Sequence, residues 1–281
     1  MLSRSANSPM ADETPLPRFR KPPVSEVAVG VQFADILTPV HLGLYYQKIK
    51  SRFPKVQVVP PLPAMFETFA LPATPASFPP VVIDGTRPRM WFIAEDDNLL
   101  IQLQTDKLIF NWRSGAQGSP YPHFDVIQAE FAQAYEELEA LSKADMREVA
   151  PNQCEVVYVN SILTATTDIP LSQPQRIFRQ WNDEHGPEWL QPLEDLAFSA
   201  RYRFNDDAGN PFGRLTVSLT TGWAAKEASP AFQFQMIARG QPRGPGYVGV
   251  AAFHDHAHKA IVRCFAAITT PEMHKLWERY Q

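Results

Sequence analysis

The chain has 281 residues, and 27 of them are proline, about twice the usual share. Fifteen prolines fall in residues 1–90 and twelve in the rest. That skew excludes long helices and coiled coils from the first third, because an interior proline removes a backbone donor and clashes with the preceding turn. Hydrophobic residues make up 44% of the chain, which excludes a disordered chain. Net charge is −4, with 14 basic and 17 acidic residues up to residue 150, then 12 and 13. Neither half carries the positive charge that phosphate binding needs, which argues against nucleic acid as a partner.

Cys154 and Cys264 are the two cysteines. They fit neither a disulfide framework nor a zinc spacing, and read as reduced thiols. No stretch reaches the roughly 18 apolar residues of a membrane span, and the first residues lack the apolar core of a signal peptide. The expectation is a cytoplasmic protein with no membrane partner. Residues 1–17 read as a flexible tail, with Met1 or Met10 as the start.

Val24 to Phe33 alternates and is β-branched, which predicts a strand. Thr38-Pro39 then reads as an N-cap with proline at the first helical position. Leu42, Tyr45, Tyr46, Ile49 and Phe53 recur at helical spacing until Pro54. Residues 59–63 read as a stiff connector, Met65 to Ala70 as a short strand, and 71–88 as a proline-punctuated loop. Strands follow at Arg89–Ala94, Leu99–Thr105 and Leu108–Trp112, with acidic turn residues between them. A long helix carries Phe124, Ile127, Phe131, Tyr135, Leu138 and Leu141 on one stripe.

The second half gives a strand at 154–163 and a helix marked by Ile177, Phe178 and Trp181. Strands follow at Phe198–Phe204, Arg214–Thr221 and Phe232–Ala238. A long helix over Tyr247–Ile268 and a short one after Thr270-Pro271 complete it. The halves align at a nearly constant offset. Ser25-Glu26-Val27 matches Cys154-Glu155-Val156, Ile49 and Phe53 match Ile177 and Trp181, and Phe124 matches Phe253. The expected fold is therefore α+β: two pseudo-repeats of a β-α-β(3-4)-α unit, at 18–148 and 149–281, with helices on one face of antiparallel sheets. This element order resembles that of the TATA-binding protein.

Helices on one face leave the other face for solvent, a ligand or a partner. Alternation places Gln102, Gln104, Asn111, Arg113, Arg201, Arg203, Gln233 and Gln235 there. Amides suit polar contacts, and arginines suit carboxylate or phosphate groups. His254 and His258 lie four residues apart on one helix face, the spacing of a shared metal. No third ligand is evident, and the metalloprotease glutamate is absent. Packed or hydrogen-bonded core histidines are the alternative. Glu26 and Glu155 match across the halves, as acid–base partners if close and as ion-paired or solvated carboxylates otherwise. Gly240 to Gly246 reads as a strand-to-helix connector rather than a phosphate loop.

Several phrases, among them KPPVSEVAVGVQF (21–33), LLIQLQTDKLIFNWR (99–113), PNQCEVVYVN (151–160) and TTPEMHKLWER (269–279), resemble a family of sporadically distributed bacterial proteins. The resemblance covers nearly the whole chain after residue 17. It implies no assigned activity, cofactor or catalytic residue. Patchy occurrence implies carriage on mobile elements, in defence or toxin–antitoxin-like settings. The reading that follows is a non-enzymatic binding protein that takes a protein or a polar small ligand on its sheet face or between its repeats. It needs no cofactor, and a homodimer stays open. The alternatives are a metal-dependent enzyme centred on His254 and His258, and a small-molecule sensor.

Overall fold

The computed structural model describes residues 15–69, 88–115, 118–145, 147–181 and 193–281. Most of the expected tail and of the 71–88 loop lies outside these residues. Among these described residues the fold is α+β and is built on one nine-stranded antiparallel sheet. Its strands are β1 (Val24–Phe33), β2 (Lys55–Val59), β3 (Arg89–Ile93), β4 (Leu99–Gln104), β5 (Lys107–Arg113), β6 (Pro151–Leu163), β7 (Ala197–Asn205), β8 (Pro211–Ala224) and β9 (Ser229–Gly240). They lie in the order β2-β3-β4-β5-β1-β6-β9-β8-β7. The helices are α1 (Pro39–Ile49), α2 (Phe124–Ala144), α3 (Thr164–Thr167), α4 (Gly246–Ile268) and α5 (Pro271–Leu276). None of them is long and apolar enough to cross a membrane.

β1 and β6 hold the centre. They pair antiparallel from Glu26–Val159 to Gln32–Gln153, with Ala28 opposite Val157. This pairing makes one sheet of strands drawn from both halves of the chain. One face is dry. Val27, Val29 and Val31 of β1 point there with Phe110, Val156, Phe234 and Val217, all buried in one hydrophobic core. The apolar stripes of α2 and α4 cover that face, α2 on β1 and β5, and α4 on β6, β8 and β9. α1 packs on α2, where the buried Tyr45 hydroxyl donates to the Ala134 carbonyl at 3.0 Å.

Three local expectations change, and one short helix is unannounced. Lys55–Val59, which takes in the first residue of the expected connector, is an edge strand paired with β3. Val56 and Val58 are exposed there, so burial gives the segment no pattern to read. Met65 to Phe69 forms no strand, and Ala70 lies outside the described residues. Ile177, Phe178 and Trp181 are not on a helix. A 3-10 turn over Pro174–Arg176 precedes them, and Phe178 bridges to Thr269. Phe178 packs edge-on against Phe232 and Phe234 instead, and Ile177 is buried in the same core. The short α3 at Thr164–Thr167 carries no buried residue, and so has no apolar period to announce it.

Gly240 and Gly213 meet where β8, β9 and α4 converge. A Cβ on Gly240 would stand 2.4 Å from the Phe212 carbonyl oxygen and 2.6 Å from the Phe253 ring. Gly240→Ala should therefore cost about 2 kcal/mol of stability, the scale of overpacking a filled core. Gly222→Ala on the same strand pair meets nothing within 4 Å and should stay within about 0.5 kcal/mol of the parent. Denaturant unfolding of the two variants checks the contrast.

Candidate functional site

The sheet face away from the helices carries the amide-rich set expected from alternation, but three of its members are buried. Gln102 is 9% exposed, Gln104 5% and Asn111 3%. Two separate arrangements bury them.

The first is a hydrogen-bonded chain across four strands. Arg89 Nη1 and Trp91 Nε1 donate to Gln102 Oε1 at 2.9 and 3.0 Å. Gln102 Nε2 donates to Asn111 Oδ1 at 2.8 Å, and Asn111 Nδ2 donates to Glu26 Oε1 at 2.6 Å. Each amide accepts from one side and donates to the other, so the polarity runs in one direction and ends on a carboxylate. The guanidinium groups of Arg89 and Arg113 lie 5.6 and 5.9 Å from the Trp91 ring. Beside this row a groove of about 550 Å³ opens, lined by Glu26, Arg113, Ser161, Trp223, Lys226 and Gln233 among others.

The second is a strap. Residues 60–69 leave β2 and run without regular secondary structure over the other end of the face. Gln104 holds Leu62 from both sides, accepting from its N–H and donating to its carbonyl, each at 3.0 Å. Lys107 Nζ donates to the Pro63 carbonyl at 2.8 Å. Gln32 Oε1 accepts from the Met65 N–H at 2.9 Å. On β8, Arg214 pairs with Glu67 and donates to the Thr68 carbonyl at 3.0 Å. Its guanidinium lies 5.1 Å from the Phe69 ring. Arg239 of β9 lies 3.8 Å from Glu67 and also pairs with Glu155. The segment therefore crosses from β4 to β8, anchored mostly through its backbone. Under it is a cavity of about 150 Å³, lined by Gln32, Met65, Lys107, Gln153 and Arg239 among others. Gln153 Nε2 meets no acceptor among the described residues. Burial pulls the Lys107 ammonium below its ordinary pKa, while neighbouring Asp106 partly restores it.

Of the remaining expected residues, Arg113 and Gln233 share the groove beside the first arrangement, and the others lie apart from it. Gln233 donates to Ser161 at 3.2 Å, and Gln235 lies opposite Ser218. Arg201 and Arg203 are exposed on the edge strand β7. Arg113 is five strands away on β5, roughly 24 Å at the usual strand spacing of about 4.8 Å. No small anion spans that distance, so the three arginines are not one anion site.

The two helical histidines have different neighbours. His254 is fully buried between α4, α2 and β1. Its Nε2 lies 3.1 Å from the Gly30 carbonyl, and its Nδ1 lies 3.1 Å from the Gln128 side-chain amide. A neutral ring donates only once. Gln128 turns its Oε1 to Nδ1 and donates its Nε2 to the Tyr247 hydroxyl at 2.9 Å, so the single ring proton goes to one of the two facing oxygens. His258 Nδ1 lies 2.8 Å from the Tyr158 hydroxyl, and its ring stacks on Phe124 with centroids 4.1 Å apart. Among the described residues no group of three or more His, Cys, Asp or Glu is placed to hold a metal. Glu26 and Glu155 have separate partners, Asn111 and Arg239. Burial keeps both thiols protonated, with Cys264 pushed up to about 11 and Cys154 higher still.

Sequence reasoning did not find the strap. Its apolar residues carry little signal, because Leu62 and Phe66 are exposed in the folded chain. No family model matches the chain, and no curated protein is found to be similar to it.

Burial lowers the pKa of both His254 and His258 from 6.5 to about 4. For His258, Asp125 and Asp255 oppose the shift, and Lys259 and Arg18 add to it. The unfolded chain binds more protons than the folded one between those values, so stability falls as pH drops from about 6.5 to about 4. Each ring contributes up to about 3 kcal/mol of that loss. Thermal melts across this range should show a shallower acid limb for His258→Gln than for the parent, and equal limbs would contradict the assignment.

Proposed function

We propose that this protein is a binding module whose open sheet face receives an extended polypeptide segment, and that residues 60–69 occupy one end of that face in cis. The observation that carries the reading is the two-way hydrogen bond between Gln104 and the backbone of Leu62. Lys107, Gln32 and Arg214 add further side-chain contacts to the strap's backbone. A face that grips main-chain groups through fixed amides and cations tolerates many side chains, which suits peptide capture. At the other end, the groove lined by Glu26, Arg113, Ser161, Lys226 and Gln233 offers polar and charged side chains to a partner segment.

The chain also reads as a tandem pair of units, 18–148 and 149–281, meeting at β1 and β6. Three features support this. At the offset of 129, Ala28 corresponds to Val157, and those two residues pair with each other. Outward from the centre, β5, β4 and β3 on one side stand in the order of β9, β8 and β7 on the other. Glu26 faces Arg113 across strands, as Glu155 faces Arg239. β2 and the strap then belong to the first unit alone.

A chain in which residues 62–68 are replaced by glycine and serine should bind a synthetic peptide of residues 60–69, measured by fluorescence anisotropy. Adding Gln104→Ala to that chain should weaken capture about tenfold, the effect of losing two hydrogen bonds. Absence of binding, or binding indifferent to Gln104, would overturn the reading.

A further inference from the structure

A second cavity lies on the opposite side of the sheet, where residues 16–24, the start of α2, β6 and α4 meet. Its volume is about 410 Å³, within the range of small-molecule sites and well beyond ordinary packing voids. Its walls are mostly rings and aliphatic groups, including Phe19, Tyr121, Phe124, Phe265, Ile261 and Val262. Water fills a cavity well only where it finds several polar partners, and most of this wall offers none.

Of the polar side chains that line it, three form one connected device. The Tyr121 and Tyr158 hydroxyls lie 2.9 Å apart, and the Tyr158 hydroxyl lies 2.8 Å from His258 Nδ1. All three residues line the cavity. With a neutral imidazole the chain has two proton arrangements. If Tyr121 donates to Tyr158 and Tyr158 to Nδ1, then Nε2–H remains a donor and the Tyr121 oxygen an acceptor. If Nδ1–H donates to Tyr158 and Tyr158 to Tyr121, then the Tyr121 O–H becomes the donor and Nε2 the acceptor. Either way the relay offers one donor and one acceptor at its ends, and it adapts to the group it meets. The charged residues of the lining are Arg18, Asp125 and Asp255. A lone arginine beside two carboxylates gives no cationic clamp for a phosphate or carboxylate ligand. Burial raises the pKa of both tyrosines and lowers that of His258, so the relay stays uncharged at neutral pH.

We propose that this cavity is a binding site for an uncharged planar aromatic molecule bearing a carbonyl or hydroxyl group, with the rings enclosing its faces and the Tyr121–Tyr158–His258 relay holding its polar group. The site is separate from the peptide face and does not depend on it.

7-Hydroxycoumarin is a suitable probe, because it is planar, uncharged below neutral pH and fluorescent. Titrated into the full chain at pH 6.5, it should bind with a shift in emission. Tyr158→Phe should weaken binding about tenfold, because it breaks the relay at its centre. Val262→Trp should abolish binding by filling the cavity. Val126→Trp, at an exposed wall position, should do the same with little risk to the fold, and melting curves confirm that each variant is folded. No binding to the parent chain, or undiminished binding to both folded tryptophan variants, would overturn the proposal.

Discussion

A buried primary amide needs partners for both its N–H and its carbonyl, and Gln104 finds both on one residue, Leu62. Much of the molecule follows from that requirement. A sheet with helices on one face leaves its other face to water, and polar side chains there need no further explanation. Here one end of the face is covered instead by a chain segment without secondary structure. Such a segment has unpaired backbone groups of its own, which cannot be buried unsatisfied. The amides of Gln32 and Gln104 and the cations of Lys107 and Arg214 meet backbone groups on the strap, so each satisfies the other. Replacing either side alone leaves the other buried without partners, which costs more than the bond itself contributes.

The β1–β6 pairing makes this arrangement reach across the chain. Because the sheet continues through the centre, a strap that begins beside β2 in the first half ends on Arg214 and Arg239 in the second. The Glu155–Arg239 pair, with Glu67 beside it, gives the strap a charged anchor at its far end. The dry face uses the same continuity differently. His254 of α4 reaches both Gln128 of α2 and the Gly30 carbonyl of β1, tying the helices of the two halves to the central strand through one buried ring.

Alternation made most of the sheet legible. Ile101 against Gln102, and Phe234 against Gln235, sort to opposite faces as the period of two requires. The long stripe of Phe124 to Leu141 and the apolar run of Tyr247 to Ile268 placed α2 and α4, because each buries one continuous face. Elements without such a face were lost. β2 is an edge strand with exposed valines, α3 buries nothing, and Ile177 and Phe178 are apolar for core burial, Phe178 against Phe232 and Phe234, rather than for helix formation. The candidate site was half legible. Sequence gave the amides and their common face, but not that Gln102, Gln104 and Asn111 are buried. Their covering comes from a segment some forty residues away from Gln104 and from cross-strand diagonals, neither of which leaves a local pattern. The proline excess concentrates in the same part of the chain, where the partly covered Pro61 and Pro63 lack N–H groups that would otherwise need partners.

The strap makes two backbone N–H groups, those of Leu62 and Met65, depend on side chains of the sheet face and not on secondary structure. Amide hydrogen exchange resolved at these two residues tests that dependence directly. Protection of at least about a hundredfold over unstructured chain is expected in the parent, equivalent to about 2.7 kcal/mol of local stability. Gln104→Ala should collapse it at Leu62. Exchange at the unstructured rate in the parent chain would contradict the account that the sheet face holds this segment.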